Sequence, residues 1–258
     1  MANFFRRAAE STTTARAGTS AGAIVVDQLR VSYAGVPALE NLSVEIPGGT
    51  LVGVIGPNGA GKSTFFKAML DLIPTDSGSV RFDGRPFQRL RTDVAYVPQR
   101  TDIDWDFPIS VLDTVLLGTY PRLGAIRRPG PRERRRAAHC LEYVGLAGEA
   151  KKPIGTLSGG QQQRVFLARA LAQDAIYFLF DEPFAGIDQA SEQSILSILG
   201  SLRDAGKTVL AVHHDMATVA SYFDYLVVID RTLVASGTVN SVLDGGALDR
   251  TFRVSRLP

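Results

Sequence analysis

The feature that most constrains this chain is the glycine-rich run Gly56–Thr64, which reads Gly-Pro-Asn-Gly-Ala-Gly-Lys-Ser-Thr. It fits the pattern G-x-x-x-x-G-K-[ST], with the β-prone stretch Leu51–Ile55 before it and the helix-prone stretch Phe65–Leu70 after it. Glycines let backbone N–H groups turn toward phosphate oxygens, and the positive end of the following helix faces the same anion. The run therefore predicts a phosphate-binding loop between a strand and a helix of an α/β fold.

The loop also contains the side chains that a nucleoside triphosphate and its metal ion require. Lys62 can place a positive charge at the β- and γ-phosphates, and the Ser63 hydroxyl can ligate Mg²⁺. A glycine-rich turn without a ligand would leave this Lys-Ser pair unexplained. The predicted nucleotide contacts are Gly56, Pro57, Asn58, Gly59, Ala60, Gly61, Lys62, Ser63 and Thr64.

Two carboxylates follow another β-prone stretch. Residues Ile176–Phe180 are all apolar, as expected of a strand buried on both faces, and Asp181-Glu182 comes directly after them. Because α/β sheets place their ligand sites at the carboxyl ends of strands, we predict that Asp181 holds Mg²⁺, directly or through water. Glu182 is predicted to orient and polarise the attacking water. The alternative for such a pair is a helix N-terminal cap, which the phosphate loop in the same chain disfavours.

A second helix start with anion-binding character lies between these motifs, in the sequence Leu-Ser-Gly-Gly-Gln at residues 157–161. Ser158 is a favourable N-cap, and the two glycines leave their N–H groups accessible at the helix start. This second surface contains no lysine. Its predicted nucleotide contacts are Ser158, Gly159, Gly160 and Gln161.

Together these motifs resemble the nucleotide-binding subunits of ATP-binding cassette (ABC) transporters, for which LSGGQ is the family signature. The resemblance covers residues 24–245, with the motifs in the family order. It implies an α/β P-loop NTPase core with a mostly parallel sheet, an N-terminal antiparallel β-subdomain and an inserted helical subdomain near residues 105–165. The predicted ABC ATPase domain therefore spans residues 23–245, followed by a C-terminal tail at residues 246–258.

The resemblance assigns roles to three further residues. Tyr33 matches the aromatic residue that stacks on adenine, although a tyrosine in a strand could also belong to the core. Gln99 matches the glutamine that senses Mg²⁺ and the attacking water. His214 matches the switch histidine that contacts the γ-phosphate, whereas we expect its neighbour His213 to be structural.

The same resemblance implies a homodimer joined through two ATP molecules, with ATP and Mg²⁺ as cofactors. In the family, the phosphate loop of one subunit and the signature helix of the other hold each nucleotide. Gly186-Ile187-Asp188 resembles the loop that couples the two sites, although Phe184-Ala185 replaces its more usual small polar opening. Loss of the γ-phosphate would then shift the population from the closed to the open state.

The segment after Gln99 contains two aromatic residues, Trp105 and Phe107, among three aspartates. In the family this region cradles a cytoplasmic helix of the permease, and aromatic anchors with a charged rim suit such docking, so we call residues 100–109 the docking segment. The alternative is that these aromatics fill the core of the helical region, which could hold for one of them while the other docks.

The string Asp-Ile-Asp-Trp-Asp-Phe-Pro at residues 102–108, with residues 212–215 and 234–237, resembles the manganese, zinc and iron importer branch. Manganese members are the most similar. The branch implies an ATP hydrolase at the cytoplasmic face of the cell membrane that energises metal import through separate permease subunits. An extracytoplasmic metal-binding protein would be an indirect partner.

Composition and charge restrict the other classes. The net charge of +2 creates no global field that would require a nucleic-acid partner, and the single cysteine, Cys140, excludes an internal disulfide or a thiolate metal site. No stretch approaches the ~18 consecutive apolar residues that a membrane span needs.

Two arginine-rich regions each fit more than one interpretation. Residues 1–22 are rich in Ala, Thr, Ser and Arg, and Glu10 is their only acid, so we predict a disordered tail, although a transit peptide has a similar composition. Residues Arg127–Arg136 contain six arginines and one acid, and they could face anionic lipid, nucleic acid or only solvent. The Pro-Gly-Pro sequence inside this run and the lack of interleaved aromatics favour a solvated loop and helix start.

Outside the motifs, strands and helices alternate in the second half of the chain, which is typical of a parallel sheet covered on both faces. The predicted strands are 24–26, 29–33, 42–46, 50–55, 79–82, 94–97, 176–181, 207–212 and 225–230, with turn formers at Gly35, Pro37, Pro47, Gly48 and Gly49. Helices are predicted at 189–204 and 215–221.

Two alternatives to a transporter subunit come from other classes. A soluble cassette ATPase of DNA repair or translation generally has two cassettes or a long coiled-coil arm, whereas this sequence shows one cassette and no sustained heptads. A nucleotide kinase or another single-site P-loop enzyme would leave the LSGGQ sequence unexplained.

Overall fold

The computed structural model of the chain describes residues 21–124, 127–215 and 218–245. These residues form two compact units. We call residues 21–90 with 208–245 the phosphate-loop unit, and residues 91–207 the helical unit. The predicted C-terminal tail and all but the last two residues of the predicted N-terminal tail lie outside the described residues.

The secondary structure alternates along the chain. The strands are β1 (Ile24–Tyr33), β2 (Val36–Ile46), β3 (Leu51–Ile55), β4 (Ser77–Phe82), β5 (Val94–Val97), β6 (Tyr177–Phe180), β7 (Thr208–His213), β8 (Tyr225–Asp230) and β9 (Thr232–Thr238). The helices are α1 (Lys62–Met69), α2 (Val111–Leu117), α3 (Tyr120–Leu123), α4 (Pro131–Tyr143), α5 (Gly159–Gln173), α6 (Gln189–Asp204), α7 (Val219–Tyr222) and α8 (Val239–Asp244). Short 3₁₀ turns occur at Phe87–Arg89, Arg100–Asp102, Ala147–Glu149 and Ile154–Thr156.

The phosphate-loop unit contains an antiparallel sheet in the order β2–β1–β4. Ile24 is fully buried and pairs with Ile46 on one side and Phe82 on the other. β1 is continuous where the sequence predicts two strands, because the irregular pairing around Gln28, at φ 45°, is absorbed within it. The prediction that Pro37 forms a turn is wrong, since Pro37 lies inside β2, an edge strand that tolerates a missing N–H.

The same unit contains a set of strands around β3. β3 pairs in parallel with both β7 and β8, with Val52 opposite Leu210 and Tyr225. All its residues are buried, as expected of a strand between two parallel neighbours. β9, which the sequence analysis does not predict, pairs antiparallel with β8. Because its side chains alternate between exposed and half-buried, no buried apolar pattern marks it in the sequence.

The helix predicted at residues 215–221 is wrong in extent. Asp215 is not helical, and the helix described here is the single turn α7. The Thr218 hydroxyl lies 3.2 Å from both the main-chain oxygen and the carboxylate of Asp215. Such local side-chain hydrogen bonds favour a turn over a helix.

The helical unit combines one parallel strand pair with a group of helices. β5 pairs with β6, and the four residues of β6 are buried as its apolar sequence predicts. Helices α2, α4 and α5 pack against one another around Val115, Leu141 and Leu167. The helix α6 begins and ends where the sequence predicts it.

The predicted fold class is confirmed. Parallel strand pairs precede both the glycine-rich loop and the two carboxylates, while the N-terminal strands form an antiparallel sheet. Helices α2 to α4 lie between residues 111 and 143, inside the range 105–165 of the predicted helical subdomain, whereas α5 begins inside that range and ends beyond it, at Gln173.

Candidate functional site

The phosphate loop follows the carboxyl end of β3 and ends at the N-terminus of α1. Gly56 has to lack a side chain, because a Cβ there would lie 2.0 Å from the carbonyl oxygen of Ile229. Gly61 is the N-cap of α1 and adopts a φ of 92°, in the left-handed region that glycine tolerates. Since glycine offers no side-chain acceptor, this helix start keeps the backbone chemistry of an anion-binding site.

Lys62 folds back over this loop. Its Nζ donates hydrogen bonds to the carbonyl oxygens of Gly56 and Pro57, both at 2.8 Å, and its side chain is buried. A buried ammonium group held by two carbonyl oxygens can exchange these acceptors for the more strongly bound oxygens of a phosphate. The other predicted contacts, Asn58, Gly59, Ala60, Ser63 and Thr64, lie in the same loop and in the first turn of α1.

Two neighbouring histidines at the end of β7 have opposite environments. His213 is buried, and its Nε2 lies 2.8 Å from the Thr218 hydroxyl. Burial lowers the pKa of His213, and the nearby His214 lowers it further. His214 is exposed directly after the strand. The structure thus places the predicted switch histidine at the surface and the predicted structural histidine in the interior.

Tyr33 lies at the end of β1, in the phosphate-loop unit, and is 49% exposed. The interpretation that Tyr33 is a core aromatic is therefore wrong. An exposed ring at a strand end is available to stack on a flat ligand.

The helical unit brings Gln99 and Glu182 together. Gln99 follows β5 and Glu182 follows β6, and the Gln99 Nε2 donates a hydrogen bond of 2.8 Å to a Glu182 carboxylate oxygen. Glu182 adopts a φ of 51°, a left-handed conformation that costs a non-glycine residue on the order of 1 kcal/mol or more. The hydrogen bond from Gln99 fixes the direction of the Glu182 carboxylate within the helical unit.

Asp181 is fully buried at the carboxyl end of β6. Its main-chain N–H donates to the Val97 carbonyl oxygen at 2.9 Å, and the Tyr96 hydroxyl lies 3.5 Å from its carboxylate. Burial raises the pKa of Tyr96 well above its usual value, and the charges of Asp181 and Asp102 raise it further. Tyr96 therefore remains a protonated hydrogen-bond donor beside this carboxylate.

The signature sequence forms a capped helix start. The Ser158 hydroxyl accepts from the Gln161 N–H at 3.3 Å, and the Ser158 N–H donates to the Gln161 side-chain oxygen at 3.0 Å. This reciprocal pair is a capping box and confirms that Ser158 is an N-cap. A Cβ on Gly160 would lie 2.4 Å from the Ser191 hydroxyl oxygen and 2.9 Å from the Ser191 Cβ, so a larger residue here would have to displace the Ser191 side chain.

The predicted coupling loop leads into α6. Asp188 is the N-cap of α6, and its carboxylate accepts from the main-chain N–H and the hydroxyl of Ser191, both at 2.9 Å. These hydrogen bonds lower the pKa of Asp188. Because a Cβ at Gly160 would clash with Ser191, the signature helix and the start of α6 lie in close contact.

The two aromatics of the predicted docking segment separate in the structure. Trp105 is half-buried, its ring packs edge-on against Phe166 at 5.4 Å, and its Nε1 donates to the Arg100 carbonyl oxygen at 3.0 Å. Phe107 is 58% exposed. The packing interpretation thus fits Trp105, while Phe107 keeps an apolar face in solvent.

One residue that the sequence analysis missed is Arg100. Its guanidinium lies among Trp105, Gln162 and the backbone at Gly159 and Gly186. The sequence shows an arginine directly after Gln99. A single basic residue in a polar segment forms no recognisable motif, so this position did not stand out.

In the arginine run at residues 127–136, one arginine makes contacts within the helical unit and others are exposed to solvent. Arg136 donates through Nε to the Ala172 carbonyl oxygen at 2.8 Å and pairs with Asp174 at 3.3 Å, at the end of α5. Arg132 and Arg135 are exposed on α4. Cys140 is buried on the same helix, and burial raises the pKa of its thiol to about 12.

Residues 21–124, 127–215 and 218–245 contain no group of three or more His, Cys, Asp or Glu side chains that could hold a metal ion. None of the helices described in those ranges has the length and apolar character needed to cross a membrane.

The chain is similar to known proteins over most of its length. Residues 39–185 match the family model described as "ABC transporter". The chain is 49% identical to the zinc transport system ATP-binding protein TroB of Treponema pallidum, across 92% of this chain and 90% of that protein. It is 51% identical to the manganese transport system ATP-binding protein MntB of Listeria monocytogenes, across 83% and 89%. A chain from an inward-facing ABC transporter has a TM-score of 0.79 and 25% identity, across 91% and 90%.

Proposed function

Because this chain belongs to the ABC transporter family, we propose that it is the ATP-hydrolysing subunit that energises import of a divalent metal ion through separate permease subunits. The observation that carries the ATPase part is the phosphate loop, in which Lys62 is buried against the carbonyl oxygens of Gly56 and Pro57. The metal part is supported by the similarity to relatives named for zinc and manganese transport.

In this proposal the phosphate-loop unit binds the nucleotide. Backbone N–H groups of Gly56–Thr64 and the start of α1 accept the phosphates, and Lys62 neutralises the β- and γ-phosphate charge. Tyr33 stacks on the adenine, which its exposed ring supports. His214, exposed after β7, contacts the γ-phosphate and distinguishes ATP from ADP.

Glu182 and Gln99 carry out the chemistry in the proposal. Glu182 accepts a proton from the attacking water as general base, and the hydrogen bond from Gln99 fixes the direction of its carboxylate. Because Gln99 is followed directly by the docking segment, a shift of that segment would also move the partner of Glu182. The rate of ATP hydrolysis would then depend on whether the permease occupies the docking segment.

Mg²⁺ neutralises charge on the β- and γ-phosphates when it is bound. The hydroxyl of Ser63, the amide oxygen of Gln99 and the carboxylate of Asp181 are the hard oxygen donors that Mg²⁺ prefers. Gln99 suits this role because its amide nitrogen already donates to Glu182, which leaves the amide oxygen for the ion. The proposal assigns Mg²⁺ to these three residues.

We place the working protein in a homodimer that encloses two ATP molecules. Each ATP is held by the phosphate loop of one subunit and by Ser158, Gly159, Gly160 and Gln161 of the other. The support in this chain is that the second helix start has anion-binding backbone but no lysine, so it complements a phosphate loop and does not replace one.

The proposal assigns permease docking to the region of Trp105 and Phe107, at the cytoplasmic face of the cell membrane. Phe107 is the better anchor because its ring is exposed, whereas Trp105 packs on Phe166 and supports the segment from within. The metal-binding protein outside the membrane is an indirect partner in this scheme, and nucleic acid has no part in it.

Manganese is our first candidate for the transported ion and zinc the second. The support is the segment at residues 102–108 together with a manganese-named relative at 51% identity, next to a zinc-named one at 49%. The ion is selected elsewhere in this scheme, by the permease and the metal-binding protein.

Uptake of radioactive metal tests the proposal. Cells that depend on this chain should accumulate ⁵⁴Mn at limiting concentration, and cells carrying Glu182→Gln should not. Excess unlabelled Mn²⁺ should compete better than Zn²⁺, whereas the reverse order would assign zinc. Unchanged uptake of both metals by the Glu182→Gln cells would refute the transport function, as would co-purification with ribosomes or DNA in place of a membrane partner.

A further inference from the structure

Arg100 occupies a junction within the helical unit. Its Nη2 donates to the side-chain oxygen of the buried Gln162 at 3.0 Å, and its guanidinium carbon lies 5.6 Å from the centre of the Trp105 ring. A Cβ on Gly159 would lie 3.3 Å from Arg100 Nη1, and one on Gly186 would lie 4.0 Å from the same atom. One side chain therefore packs on Trp105 of the docking segment, hydrogen-bonds Gln162 of the signature helix and lies close to the backbone at Gly159 and Gly186.

The position of Arg100 lowers the stability of the fold in two ways. A cation beside the first residue of α5 opposes the positive end of the helix dipole. Its Nε is also buried without a hydrogen-bond partner among the described residues, which costs free energy for a charged donor. A residue that served only folding would be expected to avoid both costs, which favours a role for Arg100 in positioning.

Arg100 and Trp105 make two contacts with each other. The Trp105 indole nitrogen donates to the Arg100 carbonyl oxygen at 3.0 Å, while the Arg100 side chain covers the indole ring. The ring also packs on Phe166 of α5. A displacement of Trp105 would therefore be transmitted to the guanidinium and through it to Gly159 and Gly186.

We propose that Arg100 is a positioning residue that ties the start of α5 and the Gly186 loop to the docking segment, so that the signature surface moves with Trp105. This inference rests on the proposed function, in which Ser158–Gln161 binds the ATP of the partner subunit. It adds a residue that links permease docking to closure of the dimer, through planar contacts that a lysine cannot reproduce.

The test compares Arg100→Met and Arg100→Lys in the full chain that also carries Glu182→Gln. Arg169→Met is the matched control, because Arg169 is also an arginine over an aromatic ring, 5.3 Å from Phe166 on α5, and none of its atoms is among those nearest to a Cβ at Gly159 or Gly186. Sedimentation with Mg²⁺ and ATP measures the dimer dissociation constant. Trp105 is the single tryptophan in the chain, so its fluorescence reports directly on the docking segment.

We expect Arg100→Met to weaken the ATP-dependent dimer on the order of 10- to 100-fold, the effect of losing a charged hydrogen bond and its packing. ATP should change Trp105 emission in the parent and in Arg169→Met, but not in Arg100→Met. Affinity of the monomer for a fluorescent ATP analogue should stay within about twofold, since the phosphate loop is intact. Arg100→Lys should fail like Arg100→Met.

Three results would overturn the inference. A dimer as tight in Arg100→Met as in the parent would show that Arg100 positions nothing, and full rescue by Arg100→Lys would show that only charge matters. An ATP-dependent Trp105 signal that persists in Arg100→Met would remove the link to the docking segment. If the parent Glu182→Gln protein does not dimerise with ATP, the proposed function itself fails and this inference fails with it.

Discussion

The phosphate-loop unit and the helical unit begin their key helices differently. α1 starts at Gly61, which has no capping side chain, and Lys62 makes its hydrogen bonds to carbonyl oxygens of the loop. α5 starts at Ser158, which exchanges two hydrogen bonds with Gln161. In the helical unit Glu182 is likewise held by a neighbour, Gln99.

The two units therefore have different roles. The phosphate-loop unit offers backbone donors and a buried ammonium group, a chemistry completed by an anionic ligand. The helical unit has polar side chains already paired with one another, so a ligand or partner must rearrange them. Changes in the first unit should therefore alter nucleotide affinity, and changes in the second should alter turnover and assembly.

The largest expected effect is in the helical unit. Glu182→Gln keeps the shape of the side chain but removes the basic carboxylate, so turnover should fall on the order of 10²–10⁴-fold. Affinity for ATP should change little. Steady-state ATPase assays and equilibrium nucleotide binding on the same preparation separate the two quantities. If the ATP affinity and the turnover rate fell by the same factor, the proposed assignment of binding to one unit and turnover to the other would be wrong.

Within the helical unit, Trp105 and Phe107 should respond differently to substitution by alanine. Trp105→Ala should destabilise the protein by at most about 3 kcal/mol, since the ring packs on Phe166 but is only half-buried. Phe107→Ala, at an exposed position, should change stability by less than about 0.5 kcal/mol yet lower co-purification with the permease. Thermal melts and pull-down from solubilised membranes measure both. A Phe107→Ala protein that binds the permease normally would argue against docking at this ring.

Lys62→Ala addresses the other unit. Loss of a charged donor to phosphate should raise the dissociation constant for ATP on the order of 10- to 100-fold. Lys67→Ala, on the same helix but outside the loop motif, is the control and should bind ATP normally. Equilibrium binding of a fluorescent ATP analogue provides the measurement. If Lys62→Ala kept full affinity for ATP, Lys62 would not contribute to phosphate binding.

The smallest effect is expected at the signature cap. Ser158→Ala removes the side-chain acceptor for the Gln161 N–H, which should cost about 1 kcal/mol. For a chain of this size the melting temperature should fall by roughly 2–4 °C. ATP affinity of the monomer should be unchanged, because this helix end is predicted to serve the partner's nucleotide. A fall in monomer affinity would place Ser158 at the nucleotide of its own subunit.

The fold was predictable from sequence where burial imposes a pattern. β3 and β6 are recognisable because their residues are buried on both faces, and α6 because its buried leucines and isoleucines recur at helical spacing. β9 and the short extent of α7 were not predictable in this way. β9 has no buried face, and α7 is limited by hydrogen bonds between Thr218 and Asp215.

The candidate site shows the same limit. The glycines and Lys62 were predictable because their spacing follows from the geometry of a phosphate loop. The Gln99–Glu182 hydrogen bond and the contacts of Arg100 were not, since they depend on how separate segments pack. Only the structure could show that Trp105 packs inside the helical unit and that Phe107 is exposed, because both residues occupy the same acidic segment of the sequence.

The most direct test of the account is complementation between two defective subunits. Lys62→Ala removes the grip of the phosphate loop and Ser158→Arg blocks the signature surface, so neither protein alone should hydrolyse ATP. In an equal mixture, half of the dimers should be mixed, and each should contain one intact composite site. A symmetric dimer with independent sites should then recover about a quarter of the wild-type ATPase rate. A mixture that forms ATP-dependent dimers but stays at background activity would contradict the claim that two subunits share each ATP.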